Sequence, residues 1–255
     1  MILYCCNGVI FVFLELKDKN TNYRKEYFDM LKYRLAYGSL EIEGIDGDLA
    51  DIKQSMKIHN QLRAINYIFE NTDERELRHF EFTKLLCDIV KEVTGGEVEN
   101  FRTIRVMVNG SNIKRSEPNM IYNDLYYLID NYNYQIKNCK TEDEIFEAEA
   151  RFHIKLLYIH PFLDGNGRTA RIFLAYNLMK NDLAPCIITK ERKDEYCSLI
   201  ENGDVNGLAQ LFKTLSHKEL EAMVALYKLL DAKGLIEDSH MTPEQELEYK
   251  RLKKQ

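Results

Sequence analysis

Apolar residues recur at helical spacing along most of this chain of 255 residues, and this periodicity constrains the fold more than any other feature of the sequence. Three helices are predicted in the first hundred residues: Asn22–Tyr37, Leu49–Glu70 and Arg78–Thr94. Capping boxes, in which Ser or Thr is followed three residues later by Glu, predict two further helix starts, at Thr141 and Ser216. The composition agrees, because 12 Gly and 4 Pro are too few for a turn-rich all-β chain. The sequence therefore predicts an all-α protein.

One segment breaks the helical pattern. Residues Arg102–Lys114 contain alternating β-branched residues around Asn109-Gly110, the dipeptide that most strongly indicates a tight hairpin turn. A hairpin isolated among helices is only marginally stable, so it has to lie against helices or a ligand. The sequence predicts a small β-hairpin that is either a plain surface hairpin or a flap over a cleft.

Length, charge and cysteine content limit the class of protein. The length suffices for one sizeable core, and we expect one helical domain with a helical extension after about Ser216. The net charge of −6 argues against a nucleic-acid-binding protein. Six scattered cysteines without Cys-x-x-Cys spacing are typical of reduced thiols, not of a zinc site. The apolar stretch Ile2–Leu16 lacks a basic start and is short for a bilayer span, so we expect a cytoplasmic protein without a membrane partner.

The candidate catalytic and binding residues are concentrated in His160–Arg171, which reads H-P-F-L-D-G-N-G-R-T-A-R. A helix has to end near His160, because the residue before Pro161 disfavours helical backbone, and a new helix begins after Gly167. The residues before this second helix therefore lie at a helix N-terminus, where free N–H groups and the helix dipole favour an anion. Gly165 and Gly167 let phosphate oxygens approach the main chain.

Four side chains complete this loop. Arg168 and Arg171 share one face of the second helix, and their planar guanidinium groups suit phosphate oxygens. Asp164 beside bound phosphates indicates an intervening cation, and Mg²⁺ prefers carboxylate and phosphate oxygens. His160 is the group suited to general-base work near neutral pH. Each feature alone is more often structural, as a helix-terminal histidine, a turn or a solvated arginine pair. Together they indicate attack of a hydroxyl group on a phosphate.

The same string matches every fixed position of H-P-F-x-[DE]-G-N-G-R-x-x-R, the motif of Fic-domain proteins. Arg151–Ile159 resembles the helix that leads into that motif, and Phe101–Ile113 resembles the substrate-docking flap of the family. The resemblance covers residues 22–214, and it implies the Fic (Fido) helical bundle with a small β-hairpin flap. Residues 1–21 form an N-terminal segment outside it, and residues 215–255 form a helical C-terminal extension.

The resemblance implies a protein adenylyltransferase that uses ATP as substrate and Mg²⁺ as cofactor. AMP is transferred to a Ser, Thr or Tyr hydroxyl of a target protein, or of the chain itself, and pyrophosphate is released. By this resemblance His160 is the catalytic base and Asp164 holds the metal. The implied nucleotide-binding residues are Asp164, Gly165, Asn166, Gly167, Arg168, Arg171 and, near the adenine, Tyr196. The implied target-docking residues of the flap, which pair with an extended target segment, are Val106, Met107, Val108 and Asn109.

A second motif, Ser39-Leu-Glu-Ile-Glu-Gly44, resembles the inhibitory signature of the family, [ST]-x-x-x-E-[GN]. The resemblance implies that Ser39 and Glu43 form a brake, in which Glu43 pairs with Arg171 and repels the nucleotide. The alternative is that Glu41 and Glu43 are ordinary exposed charges at the end of the first helix.

Other functions stay open at this point. Relatives of this fold include protein kinases, which usually carry Lys where this chain has Gly167, and braked enzymes that also remove AMP. A catalytically idle binding partner is expected to have lost His160, Asp164 or an arginine of the motif, and none of these is missing. A DNA-binding regulator requires a basic recognition helix, for which the C-terminal extension is too short and too acidic at its start.

Overall fold

The computed structural model describes residues 22–45, 56–71, 77–108 and 111–235 of the chain. These residues form eight α-helices and two short 3₁₀ turns, Pro118–Met120 and Lys190–Arg192. The helices are α1 Asn22–Ile42, α2 Met56–Asn71, α3 His79–Thr94, α4 Ile121–Asn138, α5 Glu142–Ile159, α6 Asn166–Lys180, α7 Lys193–Glu201 and α8 Val205–Ala232. No strand occurs within these ranges, so the all-helical fold is confirmed. None of the helices described is long and apolar enough to cross a membrane.

The chain divides into two compact units, Met1–Leu31 with His217–Gln255, and Lys32–Ser216. In the first unit, the beginning of α1 packs on the end of α8. The Tyr23 hydroxyl donates to the Met223 carbonyl at 3.1 Å, and the Tyr27 hydroxyl donates to the Glu219 carboxylate at 3.1 Å. Both tyrosines are almost completely buried, so each needs such an acceptor.

In the second unit, α6 is the most deeply buried helix, with 12 of its 15 residues buried. Helices α2, α3 and α5 all pack against it. The rings of Phe82, Phe152 and Phe173, one each from α3, α5 and α6, meet with centroids 5.7 to 6.5 Å apart. Because α5 and α6 are joined by the loop that begins at His160, this core fixes both ends of that loop.

Helix α1 continues to Ile42, five residues beyond its predicted end at Tyr37. Ser39 therefore lies inside the helix, and Glu43 lies in the turn that follows it, where its N–H donates to the Leu40 carbonyl. Helix α1 packs closely against the main chain at Ile188. A Cβ atom at Gly38 would lie only 2.8 Å from the carbonyl oxygen of Ile188. A glycine is required there for this part of the helix to pack as it does.

The two capping boxes have different outcomes. Thr141 accepts from the Glu144 N–H and the Glu144 carboxylate accepts from the Thr141 N–H, so the predicted start of α5 is confirmed. The helix start predicted at Ser216 is wrong, since α8 runs without a break from Val205 to Ala232. The Ser216 hydroxyl instead donates to the carbonyl of Ala184 at 2.6 Å, inside the core.

The predicted hairpin falls in residues 101–117, which we call the flap segment. Its described residues, 101–108 and 111–117, contain no assigned strand, and the turn dipeptide Asn109-Gly110 lies outside the described residues. The Ser111 N–H donates to the Val108 carbonyl at 3.0 Å. The β-hairpin itself stays a prediction.

Candidate active site

The loop begins at a backbone corner formed by His160. Helix α5 ends at Ile159, and His160 follows in the left-handed conformation, with φ 51° and ψ 61°, while its N–H donates to the Leu156 carbonyl at 3.0 Å. This conformation costs a residue other than glycine about 1–2 kcal/mol, so the surrounding contacts have to maintain it. The corner directs the chain away from the α5 axis and places the His160 side chain at the start of the loop.

The side-chain amide of Asn166 forms two hydrogen bonds to the main chain of Phe162, inside the loop. Asn166 Oδ1 accepts from the Phe162 N–H at 3.0 Å, and Asn166 Nδ2 donates to the Phe162 carbonyl at 2.9 Å. Phe162 is completely buried and packs on Phe101 with a ring distance of 5.5 Å. Both bonding groups of the Asn166 side chain are therefore used within the loop, and its assignment as a nucleotide-binding residue stays a prediction.

Helix α6 begins at Asn166 without a side-chain cap. Its N-terminal neighbour is Gly165, which has φ 81° and whose carbonyl accepts from the Thr169 N–H. A Cβ atom at Gly165 would lie 2.9 Å from Val90 Cγ2 of α3, so both the backbone angle and the packing require glycine. The N–H groups of the first helical turn have no acceptor within the helix. A helix end of this kind favours an anion, and the binding of phosphate there stays a prediction.

The two arginines of the loop are buried and share one carboxylate. Arg171 Nη2 donates to Glu43 Oε1 at 3.0 Å, and Arg168 Nε lies 3.0 Å from Glu43 Oε2 as an ion pair without hydrogen-bond alignment. Arg171 also donates to Ser39, from Nε to the hydroxyl at 2.7 Å and from Nη2 to the carbonyl at 3.0 Å. The contact between Glu43 and Arg171 agrees with the expected geometry, and the contact with Arg168 was not foreseen.

Asp164 is the carboxylate of the loop that reaches solvent, with 64% of its side chain exposed. Its Oδ2 accepts from Arg168 Nη2 at 2.7 Å, and its Oδ1 accepts from the Gly165 N–H at 2.6 Å. Partial burial raises the pKa of Asp164, but Arg168 and the N–H bond outweigh this, and the pKa lies below its usual value. Asp164 is therefore ionised near neutral pH.

A Mg²⁺ ion fits this donor set only when phosphate completes it. No group of three His, Cys, Asp or Glu side chains within the described ranges could hold a metal ion. Mg²⁺ is usually bound through one or two carboxylates together with substrate phosphates and waters. The exposed, ionised carboxylate of Asp164 next to a free helix N-terminus satisfies that requirement.

His160 is neutral in this site. Burial lowers its pKa, the neighbouring Arg115 and Arg102 lower it further, and the pKa lies at about 4. Its imidazole therefore carries one unprotonated ring nitrogen throughout the neutral range. The arrangement places a neutral imidazole, an ionised carboxylate, a helix N-terminus and two cations within one loop.

The sequence comparisons identify the family. Residues 51–178 match the model of the Fic/DOC family. The chain belongs to the Fic/DOC family.

Several known Fic proteins are similar to this chain. The protein adenylyltransferase Fic of Drosophila grimshawi is 26% identical over 206 residues, which cover 72% of this chain and 41% of that protein. The chain thus spans about two fifths of the length of this curated relative. A Fic domain containing signaling protein from Bacteroides thetaiotaomicron has a similar fold, with a TM-score of 0.71, 18% identity, and coverage of 87% of this chain and 97% of that one. IbpAFic2, solved in complex with adenylylated Cdc42, superimposes with a TM-score of 0.51 at 16% identity, covering 83% and 76% of the two chains.

Tyr196 lies on α7, with its side chain in the core. It is 2% exposed, and its hydroxyl lies 2.6 Å from Nε2 of His153, which is also buried. Burial lowers the pKa of His153 to about 3, so this histidine is neutral and serves as a hydrogen-bonding core residue. The predicted contact of Tyr196 with the adenine stays a prediction.

The flap segment is bound to the corner at His160, to α5 and to α7 by residues that the sequence did not reveal. Arg102 bonds to carbonyls of the His160 corner, and Arg115 donates to the Leu157 carbonyl at 3.0 Å. Glu201 at the end of α7 accepts from Ser111. These partners lie 42 to 90 residues away in sequence, so no local motif could have indicated them. Among the predicted docking residues, Met107 is 95% exposed and Val106 and Val108 are partly exposed.

Proposed function

We propose that this chain is a protein adenylyltransferase, which transfers AMP from ATP to a Ser, Thr or Tyr hydroxyl group of a target protein. The observation that supports this most directly is the loop itself, where neutral His160, ionised Asp164, the free N-terminus of α6 and the pair Arg168 and Arg171 adjoin one another. The curated relative bears the name protein adenylyltransferase, and IbpAFic2 was solved with an adenylylated protein.

The proposed step is a displacement at the α-phosphorus. The target hydroxyl oxygen forms a bond to that phosphorus, the bond from phosphorus to the oxygen that bridges the α- and β-phosphates breaks, and pyrophosphate leaves. His160 accepts the hydroxyl proton, which a neutral imidazole with a pKa of about 4 can do only as the transition state develops acidity on that oxygen. Hence most of the rate enhancement has to come from groups that stabilise negative charge.

Those groups are the helix end and the two arginines. The first-turn N–H groups of α6 face the phosphates, and Arg168 and Arg171 contact the β- and γ-phosphates that depart. Both guanidinium groups are more than 90% buried, so their attraction for phosphate is weakly screened by water. Asp164 would hold Mg²⁺, which neutralises charge on the phosphate oxygens. Asn166 would act by shaping the loop through Phe162, since its amide is already bonded there.

Arg168 and Arg171 are also the basis for proposing autoinhibition. Glu43 contacts both of them at 3.0 Å, and Ser39 occupies two further donors of Arg171. A carboxylate at this position takes the contacts that the terminal phosphates need, and it also repels those phosphates. We therefore propose that the chain is autoinhibited and that displacement of Glu43 activates it.

The flap segment would bind the target protein. An extended target segment that pairs with main-chain groups around Val106–Asn109 brings its hydroxyl toward His160 without much sequence selection. The exposed Met107 leaves this edge accessible.

The proposal is tested by intact mass spectrometry after incubation with ATP and Mg²⁺. We expect the Glu43→Gly variant to gain the mass of AMP on itself or on proteins of an added lysate, much more than the wild type does. Glu43→Gly combined with His160→Ala should lose this gain and still bind ATP. A gain of one phosphate group would show that the chain is a kinase. No gain with any nucleoside triphosphate, in a protein that binds ATP, would refute the transferase proposal.

A further inference from the structure

Arg102 occupies an unusual environment for a positive charge. It is 3% exposed, and its guanidinium donates to four main-chain carbonyl oxygens. These are the carbonyls of Ile104 at 2.8 Å, Ser116 at 2.6 Å, Ile159 at 3.2 Å and His160 at 2.7 Å. Its own N–H donates to the Pro161 carbonyl at 2.9 Å. A planar group with five donors is the side chain that can satisfy so many carbonyls at once.

Two of these acceptors belong to the corner that holds the proposed base. Ile159 and His160 expose the last carbonyls of α5, which have no partner within the helix and lie at the negative end of its dipole. Arg102 binds both, and it thereby caps the helix. His160 also has the left-handed backbone conformation, which persists only where neighbouring contacts enforce it. The bond from Arg102 Nε to the His160 carbonyl is such a contact.

The other two acceptors belong to the flap segment. Ile104 lies in residues 101–108, the first limb of the flap segment, and Ser116 lies in residues 111–117, its second limb. A single guanidinium thus fixes both limbs of the flap segment to the corner at His160. Moving either limb requires breaking a bond to the same group that maintains the corner.

We propose that Arg102 is a positioning residue, which sets the His160 side chain and the flap segment in register so that a docked hydroxyl meets the base. This inference rests on the proposed transfer function and deepens it. Arg102 touches neither the nucleotide nor the reacting atoms in this proposal, and it acts through the geometry of the corner.

The nucleotide contacts lie elsewhere, which makes the proposal separable from a general loss of structure. Arg168 and Arg171 are held on α6, whereas Arg102 binds the end of α5 and the flap segment. Loss of Arg102 should therefore reduce kcat far more than it changes the affinity for ATP. A displacement of about 1 Å between reacting groups typically costs about 100-fold in rate.

The kinetic test uses the Glu43→Gly background with Arg102→Ala and Arg102→Lys. We expect kcat to fall about 100-fold for Ala and about tenfold for Lys, which has three donors on one nitrogen and cannot span four carbonyls. The Kd for ATP should stay within about threefold of the parent. Arg151→Ala is the matched control, because Arg151 lies on α5 with half of its side chain exposed and pairs only weakly with Glu147, at 3.5 Å. Equal kcat for Arg102→Lys and the parent, or a parallel loss of ATP affinity, would overturn the proposal.

A second readout does not depend on transferase activity. In NMR spectra, the His160 imidazole signals, assigned by comparison with His160→Asn, should shift in Arg102→Lys and Arg102→Ala but not in Arg151→Ala. In Arg102→Ala the His160 pKa should also rise, because a nearby cation that lowers it has been removed. If Arg102→Ala does not fold, the signals of Arg102→Lys decide. Unchanged signals refute the positioning role, while changed signals in a chain without any transfer activity refute only the proposed function.

Discussion

Replacing Glu43 by Gln removes one negative charge from between two buried arginines and keeps the size of the side chain. In the structure each oxygen of Glu43 lies 3.0 Å from one guanidinium, that of Arg171 or that of Arg168. The side chain of Glu43 is 30% exposed, whereas those of Arg168 and Arg171 are 6% and 9% exposed. The substitution therefore removes the negative charge that two desolvated cations share.

The size of the effect follows from these contacts. A bond between charged groups contributes about 1.5–3 kcal/mol net, and the partial exposure of Glu43 favours the lower end. The hydrogen bond to Arg171 at about 1.5 kcal/mol and the unaligned ion pair with Arg168 at about 1 kcal/mol give about 2.5 kcal/mol, which corresponds to about 70-fold in Kd. Because the Gln oxygen can still accept from one arginine, we expect Glu43→Gln to bind ATP about 10 to 70 times more tightly than the wild type.

The stability of the ligand-free protein should change in the opposite direction. When Glu43 is neutralised, Arg171 stays buried without a carboxylate partner and Arg168 keeps only Asp164, at 2.7 Å, which destabilises the fold. The exposure of Glu43 reduces this cost to roughly 1–2 kcal/mol. Saturating ATP with Mg²⁺ should restore the stability, because the phosphates then supply the missing negative charge.

Isothermal titration calorimetry with ATP and thermal unfolding with and without ATP measure the two effects. Glu41→Gln is the control, because Glu41 lies two residues before Glu43, in the last turn of α1, and forms no ion pair with any residue in the described ranges. Its ATP affinity and melting temperature should match those of the wild type. Our account of Glu43 fails if Glu43→Gln binds ATP no better than the wild type, or if it binds ATP better and also melts higher in the ligand-free form.

Two further predictions concern the loop and the core. Gly165→Ala should lower the free energy of unfolding more than Gly96→Ala, because both residues have positive φ but a Cβ atom meets Val90 only at Gly165. The difference in urea unfolding should be about 1–3 kcal/mol, the usual cost of overpacking, and equal losses would contradict the packing argument. Glu149→Gln should gain stability over the wild type as pH rises from 5 to 8. Burial raises the Glu149 pKa to about 8, whereas the unfolded chain releases this proton near 4.5, so the wild type loses stability across that interval. The prediction is refuted if the free energy of unfolding of Glu149→Gln falls relative to that of the wild type as pH rises.

The sequence determined the features whose parts are close together in the chain. The loop His160–Arg171 could be recognised because a helix end, a turn and a helix start bring its groups together whatever the rest of the fold does. The same holds for the cap at Thr141, and for the end of α3 at Gly95, where φ is 68°. Helical periodicity likewise predicted the all-helical fold, since burial of one face is a property of each segment.

The tertiary structure decided which partner each polar group takes when several are available. Ser216 has the sequence of a helix cap, yet packing brings the Ala184 carbonyl within 2.6 Å and the hydroxyl bonds there. Arg102 looks like an ordinary basic residue until the end of α5 and both limbs of the flap segment present their carbonyls to it.

For Glu43, one contact was predicted from the sequence and the other is set by the tertiary structure. Its motif predicted a contact with Arg171, but only the packing of the end of α1 places its second oxygen against Arg168 as well. Sequence patterns describe spacing along one element, whereas a buried charge selects its partner by distance in space. The chemical groups of this site can therefore be predicted from the sequence, whereas the packing of the helices determines which groups pair with each other.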